Sequence, residues 1–187
     1  KTIQSTILEF LDGEENLEEN FQNLQAFFDE QQIHENKYEL KLVLYLIVKV
    51  SNNHHRCVNF FHKIEQILNY FKDDITNYFT NHEIFNIFKG NKRILLYLLE
   101  NNIMTIDEHI AEIIITTTKF LDFKYPQYFQ PELKTVTDKN EQLSQKFNSI
   151  EGIKNELPDQ FYEFRKTTEN SEYICQLIQN DSIKEFI

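Results

Sequence analysis

Tryptophan is absent from the 187 residues, and alanine occurs only at Ala26 and Ala111. A core without these falls to phenylalanine, isoleucine and leucine, and so is bulky. The 41% apolar content is enough to bury one, which excludes disorder of the whole chain. Cysteine occurs twice, at Cys57 and Cys175, 118 positions apart. That spacing excludes a disulfide framework and points to reduced thiols in a cytoplasmic setting. Glycine stands only at Gly13, Gly90 and Gly152, so no glycine-rich loop exists to cradle phosphate, and G-x-S-x-G and H-E-x-x-H are also missing. The most apolar run, LVLYLIV from Leu42 to Val48, is held between Lys41 and Lys49. It is far short of the roughly 20 residues that span a bilayer, so it is expected to be a buried helix. The opening KTIQSTILEF lacks the pattern of a signal peptide.

Cations are also in short supply: 19 Lys and Arg against 30 Asp and Glu, a formal charge of -11. Such a chain repels phosphate backbones and anionic headgroups unless a local basic face exists, and neither nucleic acid nor membrane is expected as a partner. Only Lys89, Lys92 and Arg93 come close together, and they read as a solvated helix start.

What remains is helical periodicity. Apolar residues recur at three and four throughout. Ile3, Ile7, Leu8 and Leu11 make a first helix that Gly13 stops. Leu17, Phe21, Leu24 and Phe28 form the stripe of a second, whose acidic start (Glu14, Glu15, Glu18, Glu19) suits the helix dipole better than a metal. Tyr38 to Val50 is apolar nearly all round, as expected at the centre of a bundle. A polar turn, Ser51 to Asn53, precedes a helix through Val58, Phe61, Ile64, Leu68 and Phe71. Asp74 and Asn81 are candidate N-caps, Gly90 a helix stop, and Thr105 with Glu108 a capping box. The β-branched run Ile113 to Thr118 leaves strand open as an alternative to helix. Pro126 and Pro131 close that element. The expected organisation is an N-terminal helical domain over 1–134, a polar and partly helical linker over 135–157, and a further unit over 158–187.

Chemistry concentrates in SNNHHRCVNFFH, Ser51 to His62, with three of the six histidines and Cys57. On a helix, His55 and His62 are separated by roughly 10 Å of rise, too far to share one ion with bonds near 2 Å. His54 and Cys57 share the face of Phe61 and Ile64 and supply two ligands at most. Cys57 then fills core space as a small hydrophobe, and a thiol there is inert. No catalytic, cofactor-binding or metal residue is assigned, and no cofactor is expected.

Two segments resemble ankyrin-repeat material. IFNIFKGNKRILLYLLENN, from Ile84, has an apolar helix, a glycine turn and a second helix ending Leu98, Leu99, Glu100, without the family's threonine-proline-leucine-histidine opening. SEYICQLIQNDSIKEFI, Ser171 to Ile187, looks like the start of a repeat. With SNNHHR (Ser51–Arg56) and FFHKIEQIL (Phe60–Leu68), these make the chain similar to the N-terminal helical region of a family of ankyrin-repeat proteins from parasitic protists. The likeness weakens across Thr135 to Gly152. It implies an all-α fold, a multi-helix bundle or stacked helical hairpins leading into an ankyrin-type repeat, and carries over no site residues.

The expected function is that of a non-enzymatic module binding a protein partner, since stacked helix pairs offer surface rather than preformed chemistry. The alternatives are a structural cap for the repeat array and, third, an enzyme using His54 and Cys57. An uncovered edge at Ile183, Phe186 and Ile187 would favour self-association. Elemental analysis of protein purified without chelator is expected to show no stoichiometric zinc; a full equivalent would overturn the reading of His54 and Cys57.

Overall fold

A helix persists where one face finds apolar cover and its terminal N–H and C=O groups find partners. The computed structural model describes residues 2–13, 17–53, 60–116, 125–150, 152–153, 157 and 159–167. Among these residues there are α-helices, one 3-10 turn and no strand, so the all-α expectation holds. Two compact units result, Lys1–Met104 and Thr105–Ile187. The first contains α1 (Ile3–Asp12), α2 (Leu17–Glu30), a 3-10 turn (Ile33–Glu35), α3 (Lys37–Asn53), α4 (Phe60–Tyr70), α5 (Lys72–Tyr78), α6 (Asn81–Phe88) and α7 (Lys92–Glu100). The second contains α8 (Glu108–Thr116), α9 (Tyr125–Tyr128), α10 (Gln130–Thr137), α11 (Glu141–Asn148) and α12 (Asp159–Thr167).

In the first unit, Thr2 and Ser5 cap α1 reciprocally: Ser5 N–H donates to Thr2 Oγ1 at 3.0 Å and Thr2 N–H to Ser5 Oγ at 3.1 Å. At its other end, Gly13 N–H reaches Glu9 O at 3.1 Å, and a Cβ at Gly13 would stand 3.3 Å from that oxygen. The fully buried Lys63 of α4 donates its ammonium to the carbonyls of Leu11, at 3.3 Å, and Gly13. A cation thus meets the negative end of the α1 dipole. Ile7, Phe10 and Leu11 are buried. Helix α3 packs on α6, α1 and the 3-10 turn through Leu40, Val43, Leu44, Ile47 and Val48.

Several helix ends differ from expectation. Ser51 to Asn53 are the last turn of α3, not a polar turn, because buried Ser51 Oγ returns its hydrogen bond to Ile47 O at 2.6 Å. Asp74 lies inside α5 and Asn81 is the first residue of α6; the cap is Thr80, whose side chain accepts from Glu83 N–H while Glu83 accepts from Thr80 N–H. Asn91 caps α7 after the turn at Gly90. The turn that follows α7 passes through Asn102, left-handed at φ 57°, with Ile103 N–H donating to Leu98 O at 2.9 Å.

In the second unit Asp107, not Thr105, caps α8, accepting from Ile110 N–H at 2.8 Å. Helix carries the β-branched run through Thr116, with Ile110, Ile114 and Ile115 buried; Thr117 and Thr118 lie outside the described residues. Pro126 and Pro131 sit in the first turns of α9 and α10, opening helices rather than closing one, since a first turn has no use for the missing N–H. The stretch read as a linker carries α11, which packs on α8 and α10 and buries Leu143 and Phe147. Arg165 of α12, 2% exposed, forks onto both carboxylate oxygens of Glu132 at 2.7 and 3.0 Å and donates to Tyr128 O at 3.1 Å. The repeat-like segment Ser171 to Ile187 lies outside the described residues.

Removing the half-exposed acid of this ion pair strands the buried guanidinium of Arg165. Glu132→Ala is therefore expected to lower stability by about 3 kcal/mol in urea unfolding, whereas replacing Glu132 and Arg165 together by leucine recovers most of the loss.

Candidate functional site

His54, His55, Cys57 and Cys175 lie outside the described residues, as do Glu14 and Glu15, while His62, Glu18 and Glu19 are exposed on helices. Among the described residues no three His, Cys, Asp or Glu side chains converge as a metal site. The Lys89, Lys92, Arg93 cluster is not a solvated start. Arg93 is buried, its guanidinium 4.2 Å from the Phe61 ring and 3.7 Å from Glu65. Burial pushes the Glu65 carboxyl up, and the neighbouring Arg93 only partly offsets it.

Two further features stand out. The first gathers the end of α2, the 3-10 turn, the end of α4, and α5. His34 Nδ1 bonds the Asp74 carboxylate and its Nε2 lies 3.5 Å from Asp29, while Tyr70 O–H donates to Asp29 and Tyr78 O–H to His34 O at 2.6 Å. The imidazole packs edge-on to Tyr70, ring centroids 4.7 Å apart, and 5.1 Å from Phe71. Burial pushes the Tyr70 phenol above its ordinary value of 10, and the hydrogen bond to Asp29 and the charges of Asp29 and Asp74 push the same way. With both ring nitrogens facing carboxylates and the phenol held protonated, the cluster is built as a clasp between four elements. Its members are spread from residue 29 to residue 78, so no local pattern in the sequence announces it.

The second feature is the outer face of α3. At 100° per residue, Tyr38, Leu42, Tyr45 and Lys49 share a stripe about 60° wide, opposite the buried arc of Leu40, Val43, Leu44 and Ile47. Tyr38 is 69% exposed, Leu42 47% and Tyr45 44%. The helix is therefore not wrapped on all sides as expected; apolar side chains occupy the place that polar ones usually take. Leu42, Tyr45 and Leu46 border a groove of about 470 Å³ whose far wall is the start of α1, at Thr2 and Ile3. That volume is within the roughly 300–1,000 Å³ of sites that enclose a ligand or a few side chains. A sequence signal for this face exists in Lys37, Lys41 and Lys49, which mark an outer side on a helix otherwise apolar all round.

Among the described residues no helix is long and apolar enough to cross a membrane. Comparison of the chain with known protein families, with curated protein sequences and with solved structures finds no match.

The clasp has a consequence at alkaline pH. A phenol whose folded ionisation is raised leaves stability whole below pH 10 and removes it as pH climbs beyond, because the unfolded chain gives up its proton first. Burial and the charge of Glu65 raise Tyr97 in the same direction. Tyr70→Phe is expected to cost about 1 kcal/mol near neutrality, through the lost hydrogen bond, and to make the decline in urea midpoint above pH 10 shallower than in the native chain.

Proposed function

We propose that this chain is a non-enzymatic module that binds a protein partner through the outer face of α3. The observation that carries the reading is the stripe of Tyr38, Leu42 and Tyr45, exposed together beside a groove. Single exposed apolar residues are ordinary on a protein surface, but a contiguous patch next to a concavity marks a contact site. Tyrosine suits the role, presenting a rigid apolar body and a polar tip at small conformational cost. The helix–glycine turn–helix of α6 and α7 supports a place before ankyrin-type repeats in the parent protein.

Leu42→Glu with Tyr45→Glu places charges on the patch without touching the buried arc. The immobilised native chain and this double variant, matched for circular dichroism and urea midpoint, are compared for proteins captured from extract of the source cells. A protein retained by the native chain, lost by the variant and bound directly when purified is the expected outcome. Identical capture by both would overturn the reading in favour of a structural cap.

A further inference from the structure

We propose that the groove between α1 and α2 takes a basic segment of a protein partner, with an arginine side chain seated in it. This is a second surface, sharing no lining residue with the groove beside α3.

Segregation of charge is the first argument. Residues 2–36 hold nine of the chain's 30 acids and none of its 19 lysines and arginines, so this stretch supplies most of the net charge of -11. Its one histidine, His34, faces Asp29 and Asp74 in the clasp. Helices α1 and α2 accordingly carry Glu9, Asp12, Glu18, Glu19, Asp29 and Glu30 and no cation. Lys63 reaches α1 from α4, but it is buried against the Phe10 ring with its ammonium on the carbonyls of Leu11 and Gly13, and no positive group lines the groove. A concavity lined by one sign of charge raises the local concentration of the opposite one.

The groove itself is the second. It encloses about 420 Å³, with Phe10, Leu24 and Phe27 as an apolar floor and Glu9, Asn20 and Asn23 on its walls. Phe10 and Leu24 are buried and Phe27 half-buried, whereas Glu9 and Asn23 are exposed. At 100° per residue, Asn20, Asn23, Leu24 and Phe27 share an arc of about 100° on α2, and Glu19 and Glu30 lie on its outer flank. A long cationic side chain lays its apolar stem along such a floor and carries its charge out to a carboxylate at the rim. Arginine suits the site better than lysine. Its planar, weakly hydrated guanidinium stacks on an aromatic ring and donates to carboxylate and amide oxygens, while an ammonium stays compact and strongly hydrated. Nucleic acid and anionic lipid bring negative charge to a negative rim, and a second copy of this face does the same.

The test is fluorescence anisotropy with the full chain and a labelled arginine-rich peptide of about 12 residues, long enough to cross the groove. One twin has citrulline in place of each arginine, keeping the shape without the charge, and another has lysine. The arginine peptide is expected to bind at least about tenfold tighter than the citrulline twin and measurably tighter than the lysine one, with affinity falling as salt rises. Asn23→Arg puts a cation on the groove wall, whereas Gln22→Arg makes the same change of charge at an exposed neighbour on the opposite side of α2. With circular dichroism and urea midpoints matched, Asn23→Arg should weaken binding about tenfold or more and Gln22→Arg by less than about twofold. Glu9→Gln should weaken it as well. The Leu42→Glu, Tyr45→Glu variant should bind the peptide no more weakly than the native chain, which separates this surface from the α3 face. Equal losses in Asn23→Arg and Gln22→Arg would show diffuse attraction to an acidic surface and overturn the proposal. Absence of binding, a citrulline or lysine twin that binds as well, or tighter binding of an uncharged proline-rich peptide would overturn it too.

Discussion

The first unit depends on the burial of one arc of α3. Leu40, Val43, Leu44 and Ile47 are each at most 1% exposed, and the helices α1 and α6 are laid against that arc. At roughly 25 cal/mol per Å² of apolar surface, each such side chain is worth about 1.5–3 kcal/mol, so the arc outweighs any single polar contact in the unit. The same geometry forces the opposite face outward. A helix with apolar side chains on both sides, but neighbours on one, must expose the remainder. The patch at Tyr38, Leu42 and Tyr45 therefore follows from how α3 is held.

The buried cations of the two units each meet a different kind of partner. Lys63 takes the carbonyl end of α1, Arg93 lies over the Phe61 ring, and Arg165 in the second unit takes a two-pronged carboxylate. The common physics is that a buried charge costs less where oxygens or ring faces lie close to it, even though Arg93 Nη1 and Arg165 Nε make no hydrogen bond among the described residues. A point-like ammonium fits converging carbonyl oxygens, whereas a planar guanidinium fits ring faces and forked oxygens.

The helical class is legible in the spacing of Ile7 with Leu11, Leu24 with Phe28 and Ile64 with Leu68, because periodicity is a local property that burial then enforces. Caps were less legible. Asp74, Asn81 and Thr105 carry the right chemistry, yet Thr80 and Asp107 have the position, and a shift of one or two residues depends on packing that no short pattern encodes. The outer face of α3 was largely obscured by its own composition: apolar on both sides, it reads as a helix wrapped by neighbours, with its lysines the one hint of an outer side. The clasp of His34 was invisible for a different reason. Its partners come from the end of α2, the end of α4 and α5, and only the fold brings them together.

The seating of Lys63 gives the first unit an internal chemical reporter. Its amine is sealed beneath the end of α1, so an acylating reagent or a modifying enzyme reaches it only when that helix has lifted. The labelling rate of one lysine would therefore read out the opening of one helix, separately from unfolding of the rest, and acylation would remove the charge that holds α1 down. Modification at this position would trap the opened state.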